Sequence, residues 1–331
     1  MNKTIILKNR PKGTPQLSDF ELVKEKMPEV MQGEILLKTK YVSVDPYLRG
    51  RMSDADSYVP PFELNKAINS GIVAEVIESK NEKFKKGDFV SDRLDWKEYQ
   101  VSNGEGLQKL DAAIKPLSVY LGVIGMTGMT AYMGLTQIGK PKEGETIVVS
   151  GAAGAVGSTV GQIGKILGCR VVGIAGTDEK VELLKSKFGF DEAINYNTTK
   201  NMTKAIAEAA PDGVDVYFDN VGGSISDAVH RNINQFGRIV VCGAISLYNA
   251  TELPMGPRVE GFLIKKSTLM QGFIVSDFSD KFPEGIQQLG QWLTEGKLTY
   301  EETVMEGFES IPQAFINLFT GKNKGKMIVK V

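Results

Sequence analysis

The chain has 331 residues, 42% of them hydrophobic and 24% charged, and 39 basic side chains meet 40 acidic ones for a formal charge of −1. That length exceeds one comfortable core, so two domains are expected, and the even charge balance supplies no basic footprint for nucleic acid. One histidine and two cysteines exclude a structural zinc site of four Cys or His ligands, and a catalytic zinc would have to draw on carboxylates.

Met1–Arg10 (MNKTIILKNR) has an apolar core too short for a secretory signal before charges interrupt it. Cys169 and Cys242 lie far apart and suggest no disulfide framework, so a reducing, cytoplasmic setting is the expectation. Up to about residue 115 the pattern is β-rich, with strand-like runs at Glu34–Val44, Gly71–Glu78 and Asp88–Asp92 separated by Gly, Pro and Asn. A small barrel or sandwich is expected there. Pro116–Gly139 carries no charge, but glycines at 122, 125, 128 and 134 and several threonines make its hydrophobicity patchy. It reads as a buried helix at a domain junction, not as a membrane span.

Farther on, β-branched runs alternate with helical segments. The strands are Thr146–Ser150, Arg170–Ala175, Glu192–Tyr196, Val214–Asp219, Arg238–Cys242 and Thr268–Val275. The helices are Ala155–Leu167, Glu179–Phe188, Thr203–Ala210, Ile225–Asn234 and Ile286–Glu295. Uninterrupted apolar strands between helices imply a sheet covered on both faces. The fold class is therefore α/β, with a six-stranded, doubly wound parallel sheet of the dinucleotide-binding kind. Tyr300–Val331 returns to strand and turn signals around a short helix at Pro312–Phe319 and is expected to rejoin the first domain. The domain reading is 1–120 with 300–331, and 121–299.

The strongest local signal is Ile147–Gly157 (IVVSGAAGAVG), a buried strand running into glycines at 151, 154 and 157 ahead of an apolar helix. Small residues there let backbone N–H groups and a helix N-terminus approach a pyrophosphate. At the end of the second strand, NAD sites usually carry an acid for the ribose 2′-hydroxyl. This chain has Ala175-Gly176-Thr177, then Asp178 and Glu179 in the next helix, then Lys180, a cation suited to a 2′-phosphate. NADP(H) is favoured.

Several motifs then coincide: Val44–Arg49 (VDPYLR), Ala152–Gly157 (AAGAVG), Tyr217–Gly223 (YFDNVGG), Phe236–Ile239 (FGRI), Cys242–Ser246 (CGAIS) and Gly325-Lys326. Together they resemble the zinc-independent medium-chain dehydrogenase/reductases, in the leukotriene B4 12-hydroxydehydrogenase, prostaglandin reductase and alkenal double-bond reductase group. The run Asp45–Asp54 (DPYLRGRMSD) is most similar to the bacterial NADPH-dependent curcumin-reductase side.

The resemblance implies a β-rich, GroES-like substrate domain built from both chain ends, a Rossmann domain that binds NADP(H), and a homodimer. Carried over by motif, Gly154, Ala155, Val156 and Gly157 would hold the pyrophosphate, and Lys180 and Tyr196 the 2′-phosphate. Asn220, Cys242, Gly243, Ala244, Ile245, Ser246, Tyr248, Phe273, Ile274, Val275 and Asn323 would line the rest, with Met126 near the nicotinamide. Two positions depart from relatives. Lys265 stands where animal enzymes carry a Tyr, and Asn69-Ser70-Gly71 where zinc-dependent cousins have Gly-His-Glu.

Without metal or paired histidine, the chemistry reads as hydride addition to the β-carbon of an α,β-unsaturated aldehyde or ketone. A donor must then stabilise the enolate oxygen. Tyr47 and Tyr248 are the candidate catalytic phenols, since a phenol stays protonated at neutral pH. Tyr47 reads equally as a turn residue after Asp45-Pro46, Tyr248 as a cofactor contact, and solvent could supply the α-proton. Tyr196–Lys200 matches Y-x-x-x-K but sits at a strand end and not on a late helix. His230 beside Arg231 reads as a packed or solvated helix residue, and both cysteines as buried small side chains. The loops Ser53–Phe62 and Thr251–Arg258 suggest an apolar, adaptable pocket for a small enone or enal. A quinone oxidoreductase and a non-catalytic NADPH-binding protein stay open as alternatives.

Overall fold

The chain folds as two units, of which the computed structural model describes residues 1–55 and 57–331; Asp56, in the loop Ser53–Phe62, lies outside them. The first unit comprises Met1–Leu121, Glu302–Asn323 and Met327–Val331, the second Gly122–Glu301 with Lys324–Lys326. The first begins with an antiparallel pair, β1 (Asn2–Leu7) and β2 (Phe20–Glu25). Next come β3 (Ile35–Ser43), a single helical turn α1 (Leu48–Arg51), β4 (Asn69–Ser79), β5 (Phe89–Asp95), β6 (Tyr99–Ser102) and β7 (Gln108–Lys109). Leu37, Val42, Ile72, Val76 and Trp96 are fully buried and form its core with Phe308 and Phe315 from the chain's other end.

The second unit opens with α2 (Met126–Met133) and continues as strict β-α alternation. Its elements are β8 (Thr146–Ser150), α3 (Ala155–Ile166), β9 (Arg170–Ala175), α4 (Asp178–Ser186), β10 (Glu192–Asn195), α5 (Met202–Ala209), β11 (Val214–Asp219), α6 (Gly223–His230), β12 (Ile233–Val241), α7 (Glu260–Lys266), β13 (Leu269–Gly272) and α8 (Phe282–Thr294). The strands form one parallel sheet in the order β10-β9-β8-β11-β12-β13. The order reverses between β8 and β11, which opens a crevice at their carboxyl ends, where ligands of doubly wound sheets bind.

The remaining strands, β14 (Glu302–Glu306) and β15 (Lys326–Lys330), flank α9 (Ile311–Leu318) and complete the seven-stranded sheet β14-β15-β3-β4-β5-β7, antiparallel from β15 to β7, with β6 paired to β3. The observed fold comprises an α/β Rossmann unit and a β-rich GroES-like unit.

Two expectations need correction. Pro116–Gly139 is not one helix: a 3-10 turn (Leu117–Leu121), α2 and a π-helical segment (Gly134–Gly139) share it. The break comes at the Gly122 carbonyl, which accepts from the N–H groups of Gly125 and Gly128 and from Thr127 Oγ1. The expected helix over Ile225–Asn234 ends at His230, and β12 starts at Ile233 instead of Arg238. An irregularity in the β11–β12 register, with Phe236 in left-handed backbone, disguises the early part of that strand. Among the described residues no helix is long and apolar enough to cross a membrane.

Candidate functional site

At the carboxyl end of β8, all five of whose residues are buried, the chain turns through Gly151 into α3. Gly154 is the N-cap and offers no side chain, so the first-turn amides of Ala155, Val156 and Gly157 have no intrahelical acceptor and lie at the positive end of the helix dipole. Helix and loop approach too closely for any side chain at 157: a Cβ there would lie 2.4 Å from the Gly151 carbonyl oxygen and 2.7 Å from Ala152 Cα. The result is a bare backbone cradle that fits a phosphate.

The end of β9 is built differently. Thr177 caps α4, its Oγ1 accepting from the Lys180 N–H at 3.2 Å. Both acids of the first turn are engaged: Asp178 accepts from Asn195 Nδ2 at 2.7 Å, and Glu179 pairs with Lys324 at 2.7 Å. Burial holds the Lys180 ammonium below the ordinary lysine range. Tyr196 follows β10, its N–H bonded to the Ala175 carbonyl, and its hydroxyl rests on Gly176, where a Cβ would stand only 2.7 Å away. That position, off any helix, denies Tyr196–Lys200 the geometry of an acid pair.

On the other side of β8, at the end of β11, lies a hub that sequence reasoning missed. Asp219, buried at the end of β11, accepts from Ser150 Oγ (2.9 Å), the Tyr217 hydroxyl (2.8 Å), Ser226 Oγ (2.5 Å) and the N–H groups of Val221 and Gly222 (both 2.9 Å). Among the described residues no cation pairs with it. Five donors satisfy a buried carboxylate that would otherwise be costly. Its backbone carbonyl accepts from Cys242 and Gly243, so one residue ties the loop after β11 to the loop after β12. Asn220 is fixed to the same knot, its N–H on Ser150 Oγ and its Nδ2 on the Ser150 carbonyl. The Ser246 N–H and hydroxyl both donate to Val221 O, and Tyr248 folds back so that its hydroxyl accepts from the Ala244 N–H at 3.3 Å.

The other expected residues of this unit fall at strand or helix ends. Met126 is the first residue of α2 and 39% exposed. Phe273, Ile274 and Val275 follow β13, and the Phe273 ring packs where a Cβ of Gly134 would be. Lys265 is exposed in the last turn of α7. Asn323 belongs to the first unit, while its neighbour Lys324 groups with the second. Burial pushes the Cys242 thiol up to about 12 and that of Cys169 up to about 11, so neither is a ready nucleophile. His230 stacks on Phe262 at 4.6 Å, and burial lowers its imidazole pKa; it is a packing residue.

In the first unit, Tyr47 stands in helical backbone at the mouth of α1, inside the turn expected after Asp45-Pro46. Burial pushes its phenol up to about 12, with Asp45 adding to the shift while Arg93 and Arg51 oppose it. Asp45 is itself held by the Ser43 hydroxyl. Arg51 lies over the Phe62 ring at 3.9 Å and donates to Asn69 Oδ1 at 2.7 Å. Ser70 accepts from Trp96 Nε1 at 2.8 Å, so Asn69-Ser70 is engaged in internal hydrogen bonds. Among the described residues no group of three His, Cys, Asp or Glu side chains could hold a metal ion.

Comparison with known proteins bears on both units. Residues 3–110 match the family described as the N-terminal domain of oxidoreductase, and residues 155–291 the one described as zinc-binding dehydrogenase. Over 329 residues the chain is 60% identical to YfmJ of Bacillus subtilis (strain 168), an NADP-dependent oxidoreductase by name, covering 99% of this chain and 97% of that one. It is 44% identical to the NADPH-dependent curcumin reductase of Escherichia coli (strain K12), covering 100% and 97%. Against the NADP(+)-dependent 2-alkenal reductase of Nicotiana tabacum the identity is 45%, covering 100% and 97%. The crystal structure of CurA from Vibrio vulnificus in complex with NADPH superposes with a TM-score of 0.95 at 44% identity, covering 99% of each chain.

Proposed function

The chain belongs to the zinc-independent medium-chain dehydrogenase/reductases, near curcumin reductase, and on that premise we propose that it is an NADP(H)-dependent reductase of the C=C bond of α,β-unsaturated aldehydes and ketones. NADPH supplies a hydride for the β-carbon, and a proton then completes the α-carbon. The observation that carries this reading is the bare N-terminus of α3, cradled by Gly151–Gly157, beside an α4 N-terminus whose acids are already engaged. The first arrangement suits a pyrophosphate, and the second leaves Lys180 and Tyr196 to meet a 2′-phosphate instead of acids to meet a 2′-hydroxyl.

The Asp219 knot ties Asn220 to the start of the Cys242–Ser246 loop, an arrangement that would hold both ready for the cofactor. The first unit is the substrate-bearing one in this reading. Its Tyr47, with a phenol pKa near 12, stays a neutral donor at any physiological pH and can hydrogen-bond the carbonyl oxygen where enolate charge develops. Tyr248, turned back onto Ala244, serves the loop and the cofactor. An NADPH-consumption screen over enals, enones, curcumin-type diketones and quinones, repeated with NADH, tests the assignment. Turnover of enals and enones with NADPH supports it, whereas turnover of quinones alone, or preference for NADH, rejects it.

The same reading places the protein as a homodimer in the cytoplasm. β13 ends the parallel sheet with one edge open among the described residues, and the apolar residues Leu269 (48% exposed), Ile264 (79%) and Phe236 (68%) lie on or beside it. Such an edge invites pairing, and a second copy across a two-fold axis covers it self-complementarily. Leu269→Lys with Ile264→Glu should then yield monomers by light scattering; an unchanged mass would exclude this edge. Both cysteines are unbridged, as a reducing compartment requires.

A further inference from the structure

A second cation stands at the first turn of α4, and it comes from the far end of the chain. Lys324 Nζ lies 2.7 Å from Glu179 Oε1, and Glu179 precedes Lys180 in the first turn of α4. Its backbone is anchored on both sides. Gly325 donates to the Ala153 carbonyl at 2.8 Å and bridges Gly154 in parallel register, while the Lys326 N–H bonds Glu301 O at 2.9 Å. Gly325 holds a φ of +61°, and a Cβ there would stand 1.8 Å from that Glu301 oxygen, so the segment tolerates no side chain at this point. The glycine loop that forms the pyrophosphate cradle thus also sets where Lys324 begins.

Charge decides what this placement does. A carboxylate near the end of the second strand favours a ribose 2′-hydroxyl and repels a 2′-phosphate. Unmasked, Glu179 would oppose the phosphate beside Lys180. Lys324 neutralises it. The pair is only partly covered, with side-chain exposures of 38% for Lys324 and 71% for Glu179, so it is an exchangeable surface contact and not a structural lock.

We propose that Lys324 is a specificity-determining residue for NADP(H): it masks the Glu179 carboxylate and shares its ammonium with the 2′-phosphate of the bound cofactor, alongside Lys180. This rests on the cofactor reading given above. Its outcome is a difference between two cofactors that differ only in that phosphate.

Fluorescence titrations of the full-length protein and of Lys324→Met, Glu179→Gln and the double variant, with NADPH, NADH and 2′,5′-ADP as probes, test it, with melting temperature as the folding control. Lys324→Met should raise Kd for NADPH and 2′,5′-ADP about three- to tenfold while leaving NADH within about twofold. Adding Glu179→Gln should recover most of that loss, and added salt should shrink it. An unchanged NADPH-to-NADH ratio in Lys324→Met overturns the proposal, as does equal weakening of both cofactors. Failure of the unaltered protein to prefer NADPH over NADH would instead overturn the cofactor reading itself.

Discussion

Two helices packed on the same sheet follow adjacent strands, β8 and β9, and begin in opposite ways. α3 starts from glycine, with no capping side chain, and presents backbone N–H groups; α4 starts from Thr177, with a filled cap, two engaged acids and two lysines nearby. The first is a shape that any diphosphate can use. The second is a charge pattern that reads one substituent. Under the proposed function a cofactor's common part would be held by backbone and its distinguishing part by side chains, so substitutions at the two ends should fail in different ways.

The largest effect is expected at the backbone end. Gly157→Val drives a side chain into the Gly151 carbonyl and Ala152, and should abolish measurable binding of NADPH and NADH together. Overpacking should also cost about 1–3 kcal/mol, visible in thermal or urea melts. If binding to both cofactors survives, the cradle is not the pyrophosphate site.

Tyr47→Phe comes next and leaves both helix ends untouched. Loss of a positioned proton donor should reduce kcat for an enal by about a hundredfold with the Kd for NADPH unchanged. The pH profile sharpens this test. Because burial raises the phenol to about 12, the rate of the unaltered enzyme should not fall through an ordinary tyrosine titration near pH 10. A fall centred near 10 that vanishes in Tyr47→Phe would show an exposed phenol, contrary to this structure.

Asp219→Asn should destabilise the second unit by about 2–3 kcal/mol, since an amide cannot accept from all five donors that the carboxylate satisfies. The KM for NADPH should rise with it, because both loops of the crevice hang on this residue. A lower melting point with unaltered KM would confine Asp219 to folding. The smallest effect belongs to the capped helix: Thr177→Ala should cost about 1 kcal/mol and weaken NADPH more than NADH.

This contrast also governs what could be read from the sequence. The glycine loop was legible because its signal is local: a β-branched strand, then glycines at 151, 154 and 157, within eleven residues from Ile147 to Gly157. The six strands of the parallel sheet were recognisable because most are β-branched, apolar runs separated by helical segments, although α7, between β12 and β13, was not foreseen. Boundaries failed where hydrogen bonding overrode pattern, at the Gly122 carbonyl and at the irregular start of β12.

Asp219 was seen only as the last residue of a strand, where an acid looks like any solvated turn. Its donors come from Ser150, Tyr217, Val221, Gly222 and Ser226, and only the folded sheet brings the first of these near. Lys324 was invisible for the same reason, being 145 positions from the carboxylate it meets. Tyr47 was found as a candidate, yet its distinguishing property, a phenol pushed up by burial, is a property of packing.

The proposed reaction is saturation of an enal's double bond with a hydride from NADPH. Reduction of an α,β-unsaturated aldehyde with NADPH deuterated at the transferable position, followed by mass and NMR analysis of the product, measures this directly. A saturated aldehyde carrying deuterium at the β-carbon is expected. An allylic alcohol with deuterium on the former carbonyl carbon would contradict it.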